Sequence, residues 1–107
     1  MSIEGLVVKV HHEDDHCTVS VLGDVLVSNA KGLERHLDEV LESGAQTIVL
    51  DITGVRYMDS FGIGAVVQTQ SKVDRKHGKF RVLVNESLAR LFTKSHLDQY
   101  IEISLKE

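Results

Sequence analysis

The feature that most constrains the fold is a change of hydrophobic period near the middle of the chain. Residues 47–52 form a short apolar run, which is typical of a buried strand. After a short loop, apolar side chains recur at helical spacing, at Ile63, Val66, Val67 and Val73. This pattern predicts a strand, a loop and then a helix that begins near Ser60. Loops of this kind are where a scaffold usually presents its working residues.

Further strands are predicted on both sides of this unit. Strand-like segments at residues 7–10 and 17–22 flank a polar turn at residues 12–16, which indicates an opening hairpin. Residues 80–84 form another apolar run that predicts a strand. A last strand is predicted where apolar residues alternate near the end of the chain, at Tyr100, Ile101 and Ile103.

Three helices are predicted between these strands. The first helix has Ser28 or Asn29 as its N-terminal cap and Gly44 as its stop. The second helix spans residues 60–77 and is ended by Gly78. A short third helix follows the strand at residues 80–84, and its apolar face consists of Leu88, Leu91 and Phe92.

The predicted order of elements is therefore β-β-α-β-α-β-α-β. Strands that alternate with helices favour an α/β fold, in which a mixed β-sheet carries the N-terminal hairpin at one side and the helices pack on it. A chain of 107 residues is long enough for one hydrophobic core and too short for two. We therefore expect a single domain over residues 1–107.

Composition and charge argue against several classes of protein. No apolar run approaches the roughly 18 residues that a membrane helix needs, so we expect no membrane insertion. The start of the chain lacks the basic and apolar regions of a signal peptide, which favours a cytoplasmic protein. The net charge of −4 disfavours direct binding of nucleic acid. The single cysteine, Cys17, cannot form an internal disulfide, and we expect a buried thiol.

Two other kinds of site are considered and not expected. Asp51 interrupts an apolar strand, where a receiver-type domain would carry its phosphoryl-accepting acid. Such a domain also needs an acidic pair at the end of its first strand, and the early acids lie instead in the hairpin turn, at Glu13, Asp14 and Asp15. His11, His12 and His16 could bind zinc, but strand alternation separates His11 from His12, so no metal site is predicted.

The central loop places Ser60 between Asp59 and two glycines, Gly62 and Gly64. A serine at the start of a helix commonly caps a free backbone amide, and spacing alone favours this structural role. The two glycines are weak evidence for a nucleotide site, because no Lys-Ser or Lys-Thr pair follows them. The G-x-S-x-G pattern of serine hydrolases is also absent. We therefore expect neither catalytic residues nor a cofactor, and predict that the protein is not an enzyme.

The same loop carries a resemblance to a known family. Residues 58–64 read M-D-S-F-G-I-G, which resembles the M-D-S-S-G-L-G loop of anti-sigma factor antagonists in the STAS domain family. The similarity extends over nearly the whole chain, through the Gly-Asp pair at residues 23–24, the strand at residues 48–51 and the segment at residues 88–98. The resemblance implies a STAS fold.

The resemblance also implies a regulatory function. In that family, the serine directly after the aspartate is phosphorylated by a partner that is both anti-sigma factor and serine kinase, and this position is Ser60. Unphosphorylated protein would bind the partner and release a sigma factor, phosphorylation would end that binding, and a serine phosphatase would restore it. The residues expected to form the partner-binding site are Asp24, Asp59, Ser60, Phe61, Gly62 and Gly64.

The chain departs from the family pattern at two positions. Phe61 stands where the second serine of the loop is usual, and Leu26 replaces an acid near the first helix. Phe61 is either an exposed aromatic anchor for a partner or part of the core, and the sequence favours neither. An alternative role is that of a STAS accessory or scaffold subunit in a lipid-transport or stress-signalling complex.

Overall fold

The computed structural model describes residues 2–106. Within that range the strands are β1 Ser2–Ile3, β2 Leu6–Glu13, β3 His16–Leu22, β4 Thr47–Gly54, β5 Lys79–Val84 and β6 Glu102–Leu105. The helices are α1 Ala30–Glu42, α2 Ser60–Arg75 and α3 Glu86–Lys94, followed by a short 3-10 helix at Leu97–Gln99. The predicted order of elements is confirmed, with two additions: the two-residue strand β1 and the 3-10 helix.

The six strands form one mixed sheet in which each strand lies beside its neighbours in the chain. The strands β1, β2 and β3 pair antiparallel, whereas β3, β4, β5 and β6 pair parallel. Each parallel neighbour is reached through a helix, as a crossover between parallel strands requires. The parallel strands therefore all point the same way, and the loop before α2 lies at their carboxyl end.

All three helices contribute to a core on one face of this sheet. The inward face of the central strands presents fully buried Val19, Leu50 and Val82, which are aligned with one another across β3, β4 and β5. They belong to one hydrophobic cluster with Leu37 of α1 and Phe92 of α3. Alternate residues on the other face are partly or fully exposed, so the sheet is covered on one side only.

Several predicted boundaries are wrong by one or more residues, and three of them have a clear local reason. The hairpin turn is confined to residues 14–15, because Glu13 pairs with His16 and extends both strands into the polar segment. The helix α2 ends at Arg75 rather than at residue 77, where the backbone has become left-handed with φ 58°. The strand β6 begins two residues later than expected, because Tyr100 follows the 3-10 helix and is 75% exposed.

Two helices are tied together by a lysine. The ammonium of Lys72 on α2 donates hydrogen bonds to Glu34 at 2.9 Å and to Asp38 at 2.8 Å, both on α1. These hydrogen bonds, from Asp38 first and then Glu34, raise the pKa of Lys72. The last turn of α2 carries two basic residues, Lys72 and Arg75, and the charge of Lys72 is thus used in a contact inside the molecule. Across the part of the chain that the structure describes, the helices are too short or too polar to cross a membrane.

Candidate functional site

The start of α2 is held by an aspartate. The carboxylate of Asp59 accepts hydrogen bonds from the backbone amides of Phe61 at 2.9 Å and Gly62 at 3.1 Å, and so caps the helix. Its second oxygen accepts a hydrogen bond from the amide of Val27 at 2.9 Å. The expectation that Ser60 caps this helix is therefore wrong. Asp59 takes that role because its two oxygens can serve the helix and a neighbouring loop together.

Ser60 is consequently free. It is the first residue of α2 and is exposed to solvent. Among residues 2–106, no group makes a hydrogen bond with its hydroxyl. A hydroxyl that makes no structural bond can be modified without loss of an internal contact.

The loop before α1 is held by a buried asparagine. Asn29 occupies the cap position of α1, yet its side chain makes no capping hydrogen bond with the helix. Its carbonyl oxygen accepts a hydrogen bond from the amide of Leu26 at 2.9 Å, and its amide group donates to the carbonyls of Asp24 at 3.0 Å and Glu4 at 3.1 Å. With 4% of its surface exposed, Asn29 holds this loop in place rather than starting the helix.

The two loops form one unit through their backbones. The amide of Val25 donates to the carbonyl of Tyr57 at 3.0 Å, and the amide of Asp59 donates to the carbonyl of Val25 at 3.1 Å. These bonds create a short parallel bridge between Val25 and Met58. Asp24 and Asp59, which were predicted to serve one binding site, are therefore brought to the same end of the sheet.

The two glycines of the motif have different roles. Gly62 is buried, and a Cβ atom there would lie 2.6 Å from Cγ of Met58 and 2.9 Å from Cγ1 of Val25. It permits close packing of the loops and offers no surface to a partner. A Cβ atom on Gly64 would meet nothing within 4 Å. Of the two, only Gly64 is placed where a partner could reach it.

Three exposed apolar side chains belong to the two joined loops and the start of α2, near Ser60 in the chain or bonded to its neighbour Asp59. Phe61 is 58% exposed, Tyr57 is 59% exposed and Val27 is 60% exposed. The position of Phe61, which the sequence left open, is thus at the surface. Val27 and Tyr57 were absent from the predicted site, because a single apolar residue in a loop carries no sequence signal that tells exposure from burial. We call these three residues the apolar rim.

A cleft of about 540 Å³ lies beside the serine, between the loop before α2 and the helix α3. It is lined by Arg56, Tyr57, Met58, Asp59, Ser60, Ile63, Ser87, Leu88 and Leu91. At its edge the guanidinium of Arg56 lies 3.5 Å from the carboxylate of Asp24. The arrangement combines an exposed hydroxyl, an apolar rim and a cation, with no nucleophile and base in contact. It is suited to recognition of a partner.

Comparison with known proteins decides the family. The model of the STAS domain matches residues 7–107. This chain belongs to the STAS domain family. It is also 32% identical over 100 residues to the anti-sigma-B factor antagonist of Bacillus subtilis, an alignment that covers 92% of this chain and 91% of that relative.

Solved structures share the fold of this STAS domain. An anti-sigma factor antagonist from Mycobacterium paratuberculosis superposes with a TM-score of 0.84 at 23% identity, over 92% of this chain and 84% of the other. The anti-sigma factor antagonist SpoIIAA in its unphosphorylated form superposes with a TM-score of 0.77 at 16% identity, over 92% of this chain and 88% of the other. The phosphorylated form of Bacillus SpoIIAA superposes with a TM-score of 0.72 at 14% identity, over 92% of this chain and 91% of the other. The predicted STAS fold is confirmed.

The carboxylate of Asp51 contacts its own strand and Lys106, and none of its hydrogen bonds within residues 2–106 is to the serine loop. Its carboxylate accepts hydrogen bonds from the Thr53 hydroxyl at 2.6 Å and amide at 3.0 Å, and pairs with Lys106 at 3.1 Å. Burial alone would raise the pKa of Asp51, but the hydrogen bonds from Thr53 and Lys106 outweigh it and lower the pKa. The early acids lie at the opposite end of the sheet, because His16 pairs with Thr47 at the start of β4.

The histidines of the hairpin are spread over two strands. His11 pairs with Thr18 and His12 with Cys17, so the two adjacent imidazoles belong to opposite faces of β2. No group of three or more metal-ligating side chains occurs within residues 2–106. Cys17 is buried as expected, and burial raises the pKa of its thiol.

Proposed function

We propose that this STAS domain is an anti-sigma factor antagonist whose binding is switched by phosphorylation of Ser60. The observation that carries the proposal is the exposed Ser60 hydroxyl, which makes no hydrogen bond in the described structure and lies between Tyr57 and Phe61 in the chain. The names of the B. subtilis relative and of SpoIIAA support the antagonist role, and SpoIIAA exists in phosphorylated and unphosphorylated forms. The protein acts as a binding module, not as an enzyme.

In the unmodified state the apolar rim binds the partner, an anti-sigma factor with serine kinase activity. Exposed aromatic residues are frequent energetic centres of interfaces, which suits Phe61 and Tyr57 to this role. Their position beside Ser60 brings the hydroxyl to the kinase site of the bound partner. Binding of the anti-sigma factor releases its sigma factor in the cytoplasm, where transcription takes place.

Phosphorylation ends this binding by adding charge to the interface. A phosphate carries about −1.5 to −2 charge at neutral pH. The adjacent carboxylate of Asp59 forms no ion pair within residues 2–106 and accepts hydrogen bonds from three backbone amides, so it adds to the negative potential. A partner surface that fits a neutral hydroxyl must either bury the phosphate without a pairing charge or dissociate, and both outcomes weaken binding. A loss of about 2.8 kcal/mol weakens binding about a hundredfold.

The fold itself tolerates the phosphate, because the Ser60 hydroxyl supports nothing else in the described structure. A serine phosphatase then returns the protein to its binding state. The switch therefore acts on the interface and leaves the scaffold unchanged.

The test compares tagged protein and variants as baits in lysate of the source organism supplied with ATP. We expect Ser60→Ala to retain an anti-sigma factor continuously and Ser60→Asp to lose it by at least tenfold, about 1.4 kcal/mol. The matched control is Ser71→Asp, an exposed position on the same face of α2, about 16 Å further along the axis. It should bind like the unsubstituted protein. Captured proteins are identified by mass spectrometry, and phosphopeptide mapping locates the modified serine.

Equal binding by Ser60→Ala and Ser60→Asp would contradict the switch, provided that both variants melt near the unsubstituted protein. Recovery of transporter subunits in place of an anti-sigma factor would instead favour the accessory-subunit role.

A further inference from the structure

The cleft beside Ser60 contains one cation among the residues that the structure describes, and this cation is weakly held. The side chain of Arg56 is 88% exposed. Its one polar contact within residues 2–106 is Asp24, at 3.5 Å, which is long for a charged pair. Exposed ion pairs of this kind contribute little to stability, so the guanidinium is free to change partner.

Most amide donors at the start of α2 are not available to a phosphate on Ser60. The amides of Phe61 and Gly62 are bonded to the side chain of Asp59, and the amide of Ile63 is bonded to the carbonyl of Asp59 at 3.0 Å. The carboxylate of Asp59 also repels a second anion. The helix end, which commonly favours an anion, is therefore already occupied by one.

We propose that Arg56 binds the phosphate of phosphorylated Ser60 and gives up its contact with Asp24. The inference rests on the proposed phosphorylation of Ser60. Arg56 and Ser60 line the same cleft, and the arginine side chain extends into solvent with no packing to hold it. A guanidinium is planar and presents paired N–H groups, which match two oxygens of a phosphate.

This change of partner by Arg56 extends the effect of phosphorylation from α2 to the loop before α1, which contains Asp24. The two loops stay joined by the backbone bonds between Val25, Tyr57 and Asp59. What changes is the surface: Asp24 loses its cation and Arg56 is drawn toward the phosphate. A partner that contacts both loops thus meets two altered charges in addition to the phosphate.

The experiment uses full-length protein with phosphoserine incorporated at position 60 during translation, so that no kinase is needed. The phosphate is titrated by phosphorus NMR in the unsubstituted protein and in Arg56→Gln. The second pKa of phosphoserine is about 6. A bound guanidinium stabilises the dianion, so Arg56→Gln should raise this pKa by roughly half a unit or more. The control is Arg75→Gln, an exposed arginine at the other end of α2, which should leave the pKa unchanged.

A second variant tests the exchange of partners. Asp24→Asn removes the competing carboxylate, so the phosphate pKa should fall below that of the unsubstituted protein. The charged groups lining the cleft, Arg56 and Asp59, are both retained in this variant. Equal phosphate pKa values for Arg56→Gln and Arg75→Gln would overturn the proposal. Because the phosphoserine is incorporated during translation, this result is independent of whether Ser60→Asp releases a partner, and the two proposals can fail separately.

Discussion

At the scale of single residues, the neighbours Asp59 and Ser60 have different roles in the site. Asp59 accepts three backbone hydrogen bonds and fixes the geometry, whereas Ser60 makes no hydrogen bond through its hydroxyl in the described structure. The acid that precedes the serine therefore has a structural role in this fold. Asp59 makes the hydrogen bonds that hold this loop, and the side chain of Ser60 stays exposed to solvent.

The two glycines of the motif provide a matched pair of substitutions. Gly62→Ala should lower the free energy of unfolding by about 1–3 kcal/mol, because its methyl group would overlap with Met58 and Val25. Gly64→Ala should raise it by about 0.5–1 kcal/mol, since the new methyl group meets open space and alanine favours the helix. Urea unfolding followed by circular dichroism measures both. Similar stabilities for the two variants would contradict the assigned packing of Gly62.

Binding measurements on the same two variants distinguish an effect on stability from an effect on the partner interface. A partner that contacts the start of α2 should bind Gly64→Ala less tightly although the protein is more stable. Unchanged affinity would remove Gly64 from the predicted partner-binding residues.

At the scale of elements, the end of the chain is tied to the centre of the sheet. Lys106 follows β6, donates its amide to the carbonyl of Val84 at 2.9 Å and pairs through its ammonium with Asp51 on β4. This contact passes across β5 to the strand beyond it. Asp51 is thus a structural acid in the described structure, in spite of its place at the carboxyl side of a parallel strand.

This tie predicts a dependence of stability on pH. The pKa of Asp51 lies below its ordinary value of 3.8 in the folded protein, so its stabilising effect is complete above that value and is lost as the pH falls through the lower, folded pKa. Asp51→Asn should cost about 1–2 kcal/mol at pH 7, because charged hydrogen bonds to Thr53 and Lys106 are weakened. The difference from the unsubstituted protein should shrink below about pH 4.

Urea unfolding at a series of pH values tests this. The control is Asp98→Asn, an exposed acid outside the sheet, for which we expect little change. A cost for Asp51→Asn that persists undiminished at pH 3 would show that the substitution acts through packing and not through charge.

The elements themselves could be predicted well, but their ends could not. Hydrophobic period is a local property, and it is enough to predict the three α-helices and all strands except β1 in the described structure. Polar residues such as His12 predict a turn at residues 12–16, whereas the two strands stay paired as far as Glu13 and His16. Register between strands depends on contacts that a local pattern does not contain.

At the scale of the whole molecule, the sheet is covered on one face. The inward residues form one cluster with the helices, whereas the outer face, with Val49 on β4 among its residues, remains partly accessible. Four parallel strands with an uncovered face are unusual, since such sheets are commonly buried on both sides. The outer face keeps alternating polar residues, such as Ser20 and Arg81, which suit contact with water.

Identical substitutions on the two faces measure this asymmetry. Val82→Ala removes part of a fully buried side chain and should cost about 2 kcal/mol in the free energy of unfolding. Val49→Ala, on the neighbouring strand but the outer face, should cost about 1 kcal/mol or less. Equal costs in urea unfolding would indicate that another surface covers the outer face in solution, and the oligomeric state would then be measured by light scattering.

The sequence by itself determined the order of the elements and placed Ser60 at the start of a helix, because both depend on patterns among residues close in the chain. Tertiary structure decided that Asp59 caps the helix in place of Ser60 and that Phe61 is exposed. It also brought Arg56 to Asp24 and covered one face of the sheet. The contact between Asp59 and Val27 spans 32 positions, so the loop that frees Ser60 exists only after the chain has folded. A local hydrophobic pattern does not indicate which distant backbone amide will donate a hydrogen bond to a given carboxylate.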